Sequence, residues 1–279
     1  MAEEPLRESD SAVRRYRSIF LSDIHLGTRD CKAEYLLDFL KYNESEQLFL
    51  VGDIIDGWRL RKSWFWPEPQ STVIQKVLRK SRKGTEVIFI PGNHDEFLRR
   101  YIGMNFGDII VHRDYIHTLA DGRRMLVVHG DEFDGVMRYA KWLAYVGDSA
   151  YVFALKLNRW VNFIRRKMGL PYWSLSQTLK HKVKQAVQII SDYEVYLAEE
   201  ARMRGTDGVI CGHIHHAEMK DINGILYCND GDWVESCTAL VEHFDGQLEI
   251  IYWADVMAKR GIDTSQLGLF KEDSAHDEA

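Results

Sequence analysis

The sequence predicts an α/β fold: a largely parallel β-sheet built from βαβ units, a second and more antiparallel sheet packed on it, and a basic helical insertion between the two halves. Three observations lead there. Short apolar runs recur along the chain, each ending abruptly in polar residues and glycine. Helical stretches separate the early runs, and strands alternating with helices build parallel sheets. A segment from about 134 to 190 then breaks the alternation with a helical period and a charge of its own.

The elements follow in order. Residues 1–18 are mostly polar and read as a flexible N-terminal arm. Ser18 to Leu21, Gln47 to Val51, Glu86 to Ile90, Met125 to Val128 and Gly208 to Cys211 are short apolar runs bounded by turn residues, the pattern of buried strands. Between them, Ala33 to Lys41 sets Leu36, Leu37 and Leu40 on one helical face. Thr72 to Ser81 does the same with Val73, Val77 and Leu78, and Lys83-Gly84 supplies a stop. Val136 to Lys167 is long, aromatic and helical in period, Gly169-Leu170-Pro171 interrupts it, and Leu179 to Met203 resumes as another helix. Ile225 to Asn229, Ala239 to Phe244 and Leu248 to Trp253 follow closely, with Asp245-Gly246 as a hairpin turn, and are expected to form the second sheet. The main domain is expected over 19–270, with an acidic tail over 271–279.

Composition narrows the class. With 279 residues, 46% hydrophobic and 28% charged, the chain is an ordinary globular protein, which excludes disordered, collagen-like and coiled-coil classes. No apolar run approaches the roughly 18 residues of a spanning helix, and the polar N-terminus lacks the apolar core of a secretory signal. Four cysteines without a CxxC pair point to a reducing compartment, hence a cytoplasmic protein. The charge is divided: ten Lys or Arg face two acids between 134 and 190, which leaves −14 on the rest of a chain whose total is −6. Such a segment suits an anionic partner.

Metal-ligating residue types gather where the early runs end. Asp23-x-His25 follows the first, Asp53-x-x-Asp56 the second, Asn93-His94-Asp95 the third, His129-Gly130-Asp131 the fourth and His213-x-His215 the fifth. In α/β folds that edge of the sheet binds ligands. Residues spaced two apart share a side where the backbone is extended, so Asp23 with His25, and His213 with His215, are expected on extended strand ends. Imidazole, carboxylate and a neutral amide without cysteine suit Mn²⁺, Fe²⁺ or Zn²⁺ in an open site rather than a structural thiolate zinc. The candidates exceed what one open metal takes, and two metals sharing a bridging carboxylate would use them all. Such a pair clamps the attacking and leaving oxygens of a phosphoryl displacement and lowers the pKa of a bridging water.

The series DIH, GDIID, GNHD, HGD and GHIH, from about Phe20 to Trp253, resembles the calcineurin-like metallophosphoesterase superfamily. The resemblance implies a four-layer αββα sandwich, the metallophosphoesterase fold, with a dinuclear centre between the sheets and the insertion as a helical cap. Carried over motif by motif, it implies Asp23, His25, Asp53 and His215 on one metal, and bridging Asp53 with Asn93, His129 and His213 on the other. It implies that His94 contacts the phosphate and protonates the leaving group, and that Asp95 orients His94. Two Mn²⁺ ions are the first expectation, with Fe²⁺ or Zn²⁺ as alternatives.

Within the superfamily, the D-x-H-L-G opening, the HGD motif and the basic, apolar insertion before the last metal motif resemble the UDP-2,3-diacylglucosamine diphosphatase branch of lipid A synthesis. That implies a diphosphatase acting on a nucleotide-linked lipid diphosphate by attack of a metal-bound hydroxide. The chain departs from the branch in carrying His94 where arginine is common, and in following its second motif with Gly57-Trp58-Arg59-Leu60-Arg61-Lys62.

Two rival functions stand beside this one. One is a phosphodiesterase or phosphomonoesterase acting on a soluble nucleotide or a phospholipid head group. The other is a non-catalytic metal-binding scaffold, against which the retained ligand set speaks. Trp58, Arg59 and Asp131 are candidates to touch substrate, while Asp56, Asp131 and Asp134 support the site rather than ligate. Trp64, Phe65 and Trp66 offer an acyl or base pocket. The insertion mixes Trp142, Tyr145, Trp160 and Phe163 with its cations, which suits peripheral contact with an anionic membrane, here the cytoplasmic face of the inner membrane. Nucleic acid is the weaker partner because the rest of the chain is negative, and the sequence sets no oligomeric state.

Overall fold

The computed structural model describes residues 13–133 and 190–261. Residues 1–12 of the expected arm, the basic cap insertion up to residue 189 and the acidic tail over 271–279 lie outside the described residues.

The first strand starts inside the expected arm, and this corrects its boundary: β1 is Arg14–Leu21. Tyr16 and Ser18 are buried while Arg15 is exposed. The polar residues there are the outward half of a pleated strand, and the Arg17 guanidinium reaches Glu242. β1 runs parallel to β2 (Asn43–Val51), β2 to β3 (Glu86–Ile90), and β3 to β5 (Ile109–Val111), with β4 (Asn105–Phe106) antiparallel at the edge. On its other side β1 pairs antiparallel with β11 (Thr238–Glu242), and β11 with β12 (Leu248–Tyr252).

The second sheet has the order β6 (Tyr115–Thr118), β7 (Arg124–Val127), β8 (Gly208–Cys211), β10 (Ile225–Asn229), β9 (Glu218–Ile222). Its three inner strands are parallel and its two edges antiparallel. The hairpin at Asp245-Gly246 forms as expected, but β11 and β12 complete the first sheet instead of building the second. The reason lies in β11, which is buried along its whole length. Leu240 faces the other sheet while Ala239 and Val241 face helices, so the strand needs a neighbour on both edges and cover on both faces.

Strict alternation of period two sorts the core into three layers. Ile19 and Leu21, Leu48 and Leu50, Val87 and Phe89 point outward from the first sheet, onto α1 (Ala33–Tyr42), α3 (Glu68–Arg82) and a helix over Trp253–Lys259. Phe20, Phe49, Val51, Ile88 and Ile90 point inward and meet Met125, Val127, Ile210 and Cys228 of the second sheet. Leu126, Val209, Cys211 and Tyr227 point outward from that sheet, onto Tyr193, Leu197, Ala198 and Ala201 of a helix over residues 190–203. Three apolar layers separate four layers of structure, α on β on β on α.

The helices obey local rules. α1 buries Leu36, Phe39 and Leu40 and ends where the Asn43 side chain donates to the Phe39 carbonyl, 2.7 Å away. α3 carries Pro69 and Glu68 in its first turn, where a missing N–H and a negative charge are both favourable, and Lys83-Gly84 ends it as the sequence suggests. The four cysteines are buried and free, packed as small apolar side chains. Among the described residues no helix is long and apolar enough to cross a membrane.

Candidate metal centre

The parallel strands of both sheets end on one edge, and the motifs meet there. β1 delivers Asp23 and His25, β2 Asp53, β3 Asn93 and His94, β7 His129, and β8 His213 and His215. The expectation of extended ends is corrected. Asp23, His25, Asp53, His213 and His215 all sit at positive φ, from 48° to 72°. The chain leaves β1, β2 and β8 through left-handed positions, and these, rather than pleat alternation, bring Asp23 and His25, and His213 and His215, to the site. Backbone hydrogen bonds hold the turns, Asp23 N–H to the Gly52 carbonyl at 3.0 Å and His25 N–H to that of Asp53 at 2.9 Å. The loops pack so closely that a side chain at Gly92 would collide with Asp53 Oδ1.

Three groups form. Asp23, His25 and His215 offer atoms within 4.8 Å of one another, as do His25, Asp53 and His94, and as do Asp53, His129 and His213. Asp53 belongs to two of these groups and offers a different oxygen to each: Oδ1 lies 3.4 Å from His129 Nε2 and accepts the His94 backbone N–H at 2.8 Å, and Oδ2 lies 3.9 Å from both His25 Nε2 and His94 Nε2. Asp23 Oδ1 lies 3.0 Å from His215 Nε2 and 3.7 Å from His25 Nε2. The residues fit divalent cations on an observation of their own. His25 Nε2, Asp53 Oδ2, Asn93 Oδ1 and His129 Nε2 are buried and make no well-directed hydrogen bond. Buried polar atoms left so are costly, and divalent cations beside them would satisfy them.

The outer nitrogens are oriented. His129 Nδ1 donates to the Val51 carbonyl at 2.8 Å, which turns Nε2 inward. His25 Nδ1 lies 3.3 Å from Asp56 Oδ2. Burial opposes charge on both rings, but the surrounding carboxylates outweigh it. Asp23 and Asp56 raise His25 to about 9, and Asp53 with Asp23 and Asp131 raises His129 to about 10. A proton and a cation therefore compete for the same inward lone pairs. Asp53, though buried, is held below the ordinary carboxylate range by His129.

His94 has a different neighbour from the one expected, which corrects the role given to Asp95. The Asp95 carboxylate accepts the backbone N–H groups of Gly92 at 2.6 Å, Ile54 at 2.8 Å and Ile55 at 3.3 Å, so it ties the β3 loop to the β2 loop. Burial, with Asp53 nearby, pushes its carboxyl up to about 6. The group that meets His94 Nδ1 is Asp56 Oδ2, 3.0 Å away. Asp56 also caps α2 (Gly57–Lys62) by accepting from Arg59 N–H at 2.8 Å.

Of the substrate candidates, Trp58 sits beside the His94 ring at 4.2 Å between centroids, 42% exposed. Arg59 is exposed on the same short helix. Asp131 is held by Arg99, whose Nη2 lies 2.7 and 2.6 Å from its two oxygens. Trp64 stacks on Trp66, and Arg29 lies over Phe65. Sequence reasoning missed Arg99, Ser22 and Asp230. A signal existed for Asp230, which follows the run Ile225 to Asn229 just as the chosen residues follow theirs.

Two facing sheets whose shared edge gathers three overlapping carboxylate–imidazole groups are the arrangement of a metal-dependent hydrolase. The chain belongs to the calcineurin-like phosphoesterase family, whose match covers residues 16–217. It is 24% identical over 224 residues to the UDP-2,3-diacylglucosamine hydrolase of Neisseria gonorrhoeae, covering 77% of this chain and 89% of that one. It is 25% identical over 236 residues to the hydrolase of the same name from Haemophilus influenzae, covering 81% and 94%. Among solved structures, the E. coli phosphoesterase Yfce aligns with a TM-score of 0.40 at 14% identity, over 84% of this chain and 98% of that one.

Proposed function

We propose that the protein is a dinuclear-metal diphosphatase that cleaves a nucleotide-linked lipid diphosphate of the UDP-2,3-diacylglucosamine type. The observation that carries this reading is Asp53, which turns one oxygen to each of two carboxylate–imidazole groups. Similarity to the two hydrolases along most of their length supports the substrate class. Asp23, His25 and His215 would hold one cation; His129, His213 and Asn93 the other, with Asp53 between. Bound there, two divalent cations supply the charge neutralisation and water activation that displacement at phosphorus needs.

His94 is placed to act on the substrate itself. Its side chain is 20% exposed, Asp56 Oδ2 lies 3.0 Å from Nδ1, and Nε2 lies 3.9 Å from Asp53 Oδ2. It can therefore hydrogen-bond a phosphoryl oxygen and give a proton to the leaving oxygen, with Asp56 stabilising the imidazolium. Trp58 shields one face of that ring.

The test is release of uridine monophosphate from detergent-dispersed UDP-2,3-diacylglucosamine with Mn²⁺. Asp53→Ala should reduce it by at least ~100-fold, since supporting partners alone are worth 10–100-fold. A wild-type chain that releases none sinks the substrate assignment, and an Asp53→Ala chain that is fully active sinks the centre.

One observation favours the rival ester reading. The cavity of about 480 Å³ beside His129 is lined by Arg99, Arg113 and Arg204 together with Pro91, Ile102 and Val128, a mixed wall whose guanidinium groups suit a soluble nucleotide ester. Hydrolysis of such an ester in preference to the lipid would establish it. The surplus of positive charge between 134 and 190 supports peripheral contact with anionic membrane. Co-sedimentation with phosphatidylglycerol vesicles should be strong at low salt and fade at high salt; indifference to vesicle charge would overturn it.

A further inference from the structure

β10 runs parallel to β8 and ends on the same edge as the strands that carry the candidate ligands. From it the chain turns through Asn229, Asp230, Gly231 and Asp232, all buried. Asp230 reaches the back of Asp23. Its Oδ1 lies 2.6 Å from Ser22 Oγ, and that hydroxyl lies 2.8 Å from Asp23 Oδ2. Asp23 Oδ2 also accepts the His213 backbone N–H at 2.7 Å. One oxygen of Asp23 is thus committed to the protein, and Oδ1 is left to face His25 and His215.

Proton counting fixes the polarity of this contact. A serine hydroxyl carries a single proton, yet Ser22 Oγ lies against two buried carboxyl groups and, at 3.1 Å, the Gly231 carbonyl. It can donate to one carboxylate at most, so at least one of the two carboxyl groups must donate to it. Asp23 is surrounded by imidazoles and a backbone donor, which favour its anion. Asp230 lies behind it, buried away from the imidazoles, and its Oδ1 makes its short contact with Ser22 Oγ. The consistent arrangement has the Asp230 O–H donating to Ser22 Oγ, and the Ser22 O–H donating to Asp23 Oδ2.

The surrounding loop is built to hold this geometry. Thr238 Oγ1 donates to the Asp230 carbonyl at 2.8 Å, and Gly231 N–H donates to Asn229 Oδ1 at 3.0 Å. The Asp232 carboxylate accepts the Val234 and Glu235 N–H groups and the Ser236 hydroxyl, and Trp233 N–H returns to the Asp23 carbonyl at 3.1 Å. A side chain at Gly212 would collide with Ser22 Oγ.

We propose that Ser22 and Asp230 are positioning residues that fix Asp23 as a one-oxygen metal ligand, with Asp230 serving as a hydrogen-bond donor rather than as a charge. The sixth strand end thereby serves the site without touching the cations. This rests on the reading of Asp23 as a ligand.

The experiment is calorimetric titration of metal-free full-length chain with Mn²⁺, beside thermal unfolding of the same metal-free samples. Wild type should bind two ions. Ser22→Ala and Asp230→Ala should bind one of the two about 10–100-fold more weakly. Asp230→Asn, whose amide N–H still donates to Ser22, should stay within about threefold of wild type. Ser22→Ala removes a single hydroxyl and is the variant to rely on should Asp230→Ala fail to fold. Wild-type affinities in Ser22→Ala overturn the proposal, as does an Asp230→Asn chain that folds but binds as weakly as Asp230→Ala. A wild-type chain that binds no Mn²⁺ instead overturns the reading of Asp23 as a ligand.

Discussion

A left-handed backbone costs a residue other than glycine roughly 1–3 kcal/mol and persists where its surroundings over-determine it. Asp23, His25, Asp53, His213 and His215 all adopt it, and each is fixed by neighbours from another strand. Asp56 shows how much one side chain can settle. It caps α2 and at the same time meets Nδ1 of both His25 and His94. Replacing it by alanine should lower kcat/KM by ~10–100-fold through the two imidazoles and cost about 1 kcal/mol through the lost cap. Asp56→Asn should recover the cap but not the activity, because an amide no longer stabilises an imidazolium. Parallel kinetics and thermal unfolding of the pair decide it; full activity in Asp56→Ala would remove Asp56 from the site.

At the level of elements, β1 carries a second polar cluster upstream of the site. Glu242 of β11 lies opposite Ser18 in the ladder. It accepts from Ser18 Oγ at 2.6 Å, lies 2.7 Å from His117 Nε2 of β6, and takes the Ala120 N–H at 2.8 Å. The cluster therefore links the two sheets. Burial alone would raise the Glu242 carboxyl, but His117, Ser18, Ala120 and Arg17 together hold it at about 2. A carboxyl depressed by folding contributes stability in full above its unfolded value, near 4.5, and loses it as pH falls toward 2. The contribution is on the order of 3 kcal/mol. Urea midpoints for wild type should fall between pH 4.5 and 2 by more than those of Glu242→Gln, and equal slopes would refute the link.

What was legible in the sequence also divides by element. The last four residues of β2, with β3, β8 and β10, are legible because they are apolar on both faces, and Leu36, Leu40, Val73 and Val77 because they repeat at helical spacing. β4 and β9 were not, because edge strands expose much of their surface and need no apolar run. The candidate ligands were legible since strand ends concentrate them. The partner of His94 was not, because it depends on where α2 settles, and Gly57 N–H fixes that by bonding to the His94 carbonyl at 3.0 Å.

For the whole molecule, the centre is a joint between halves. Its candidate ligands come from β1, β2 and β3 in one sheet and from β7 and β8 in the other, and the sheets also meet through the inner apolar layer around Phe20, Phe49, Val127 and Ile210. Cations that bind residues of both sheets bind the folded chain and not the unfolded one, so they must stabilise it by mass action. At a hundred times its Kd, each ion adds about 2.7 kcal/mol, worth roughly 5–10 °C in a domain of this size. Two ions should therefore separate the unfolding temperatures in excess Mn²⁺ and in chelator by ~10 °C or more. The His25 and His129 rings, at about 9 and 10 without metal, set the direction of the pH effect. Both must lose their inward protons to ligate, so the separation should widen as pH rises from 6 to 8. Thermal scans at the two pH values, with and without chelator, test both parts, and coincident unfolding in Mn²⁺ and chelator would show that no cation joins the sheets.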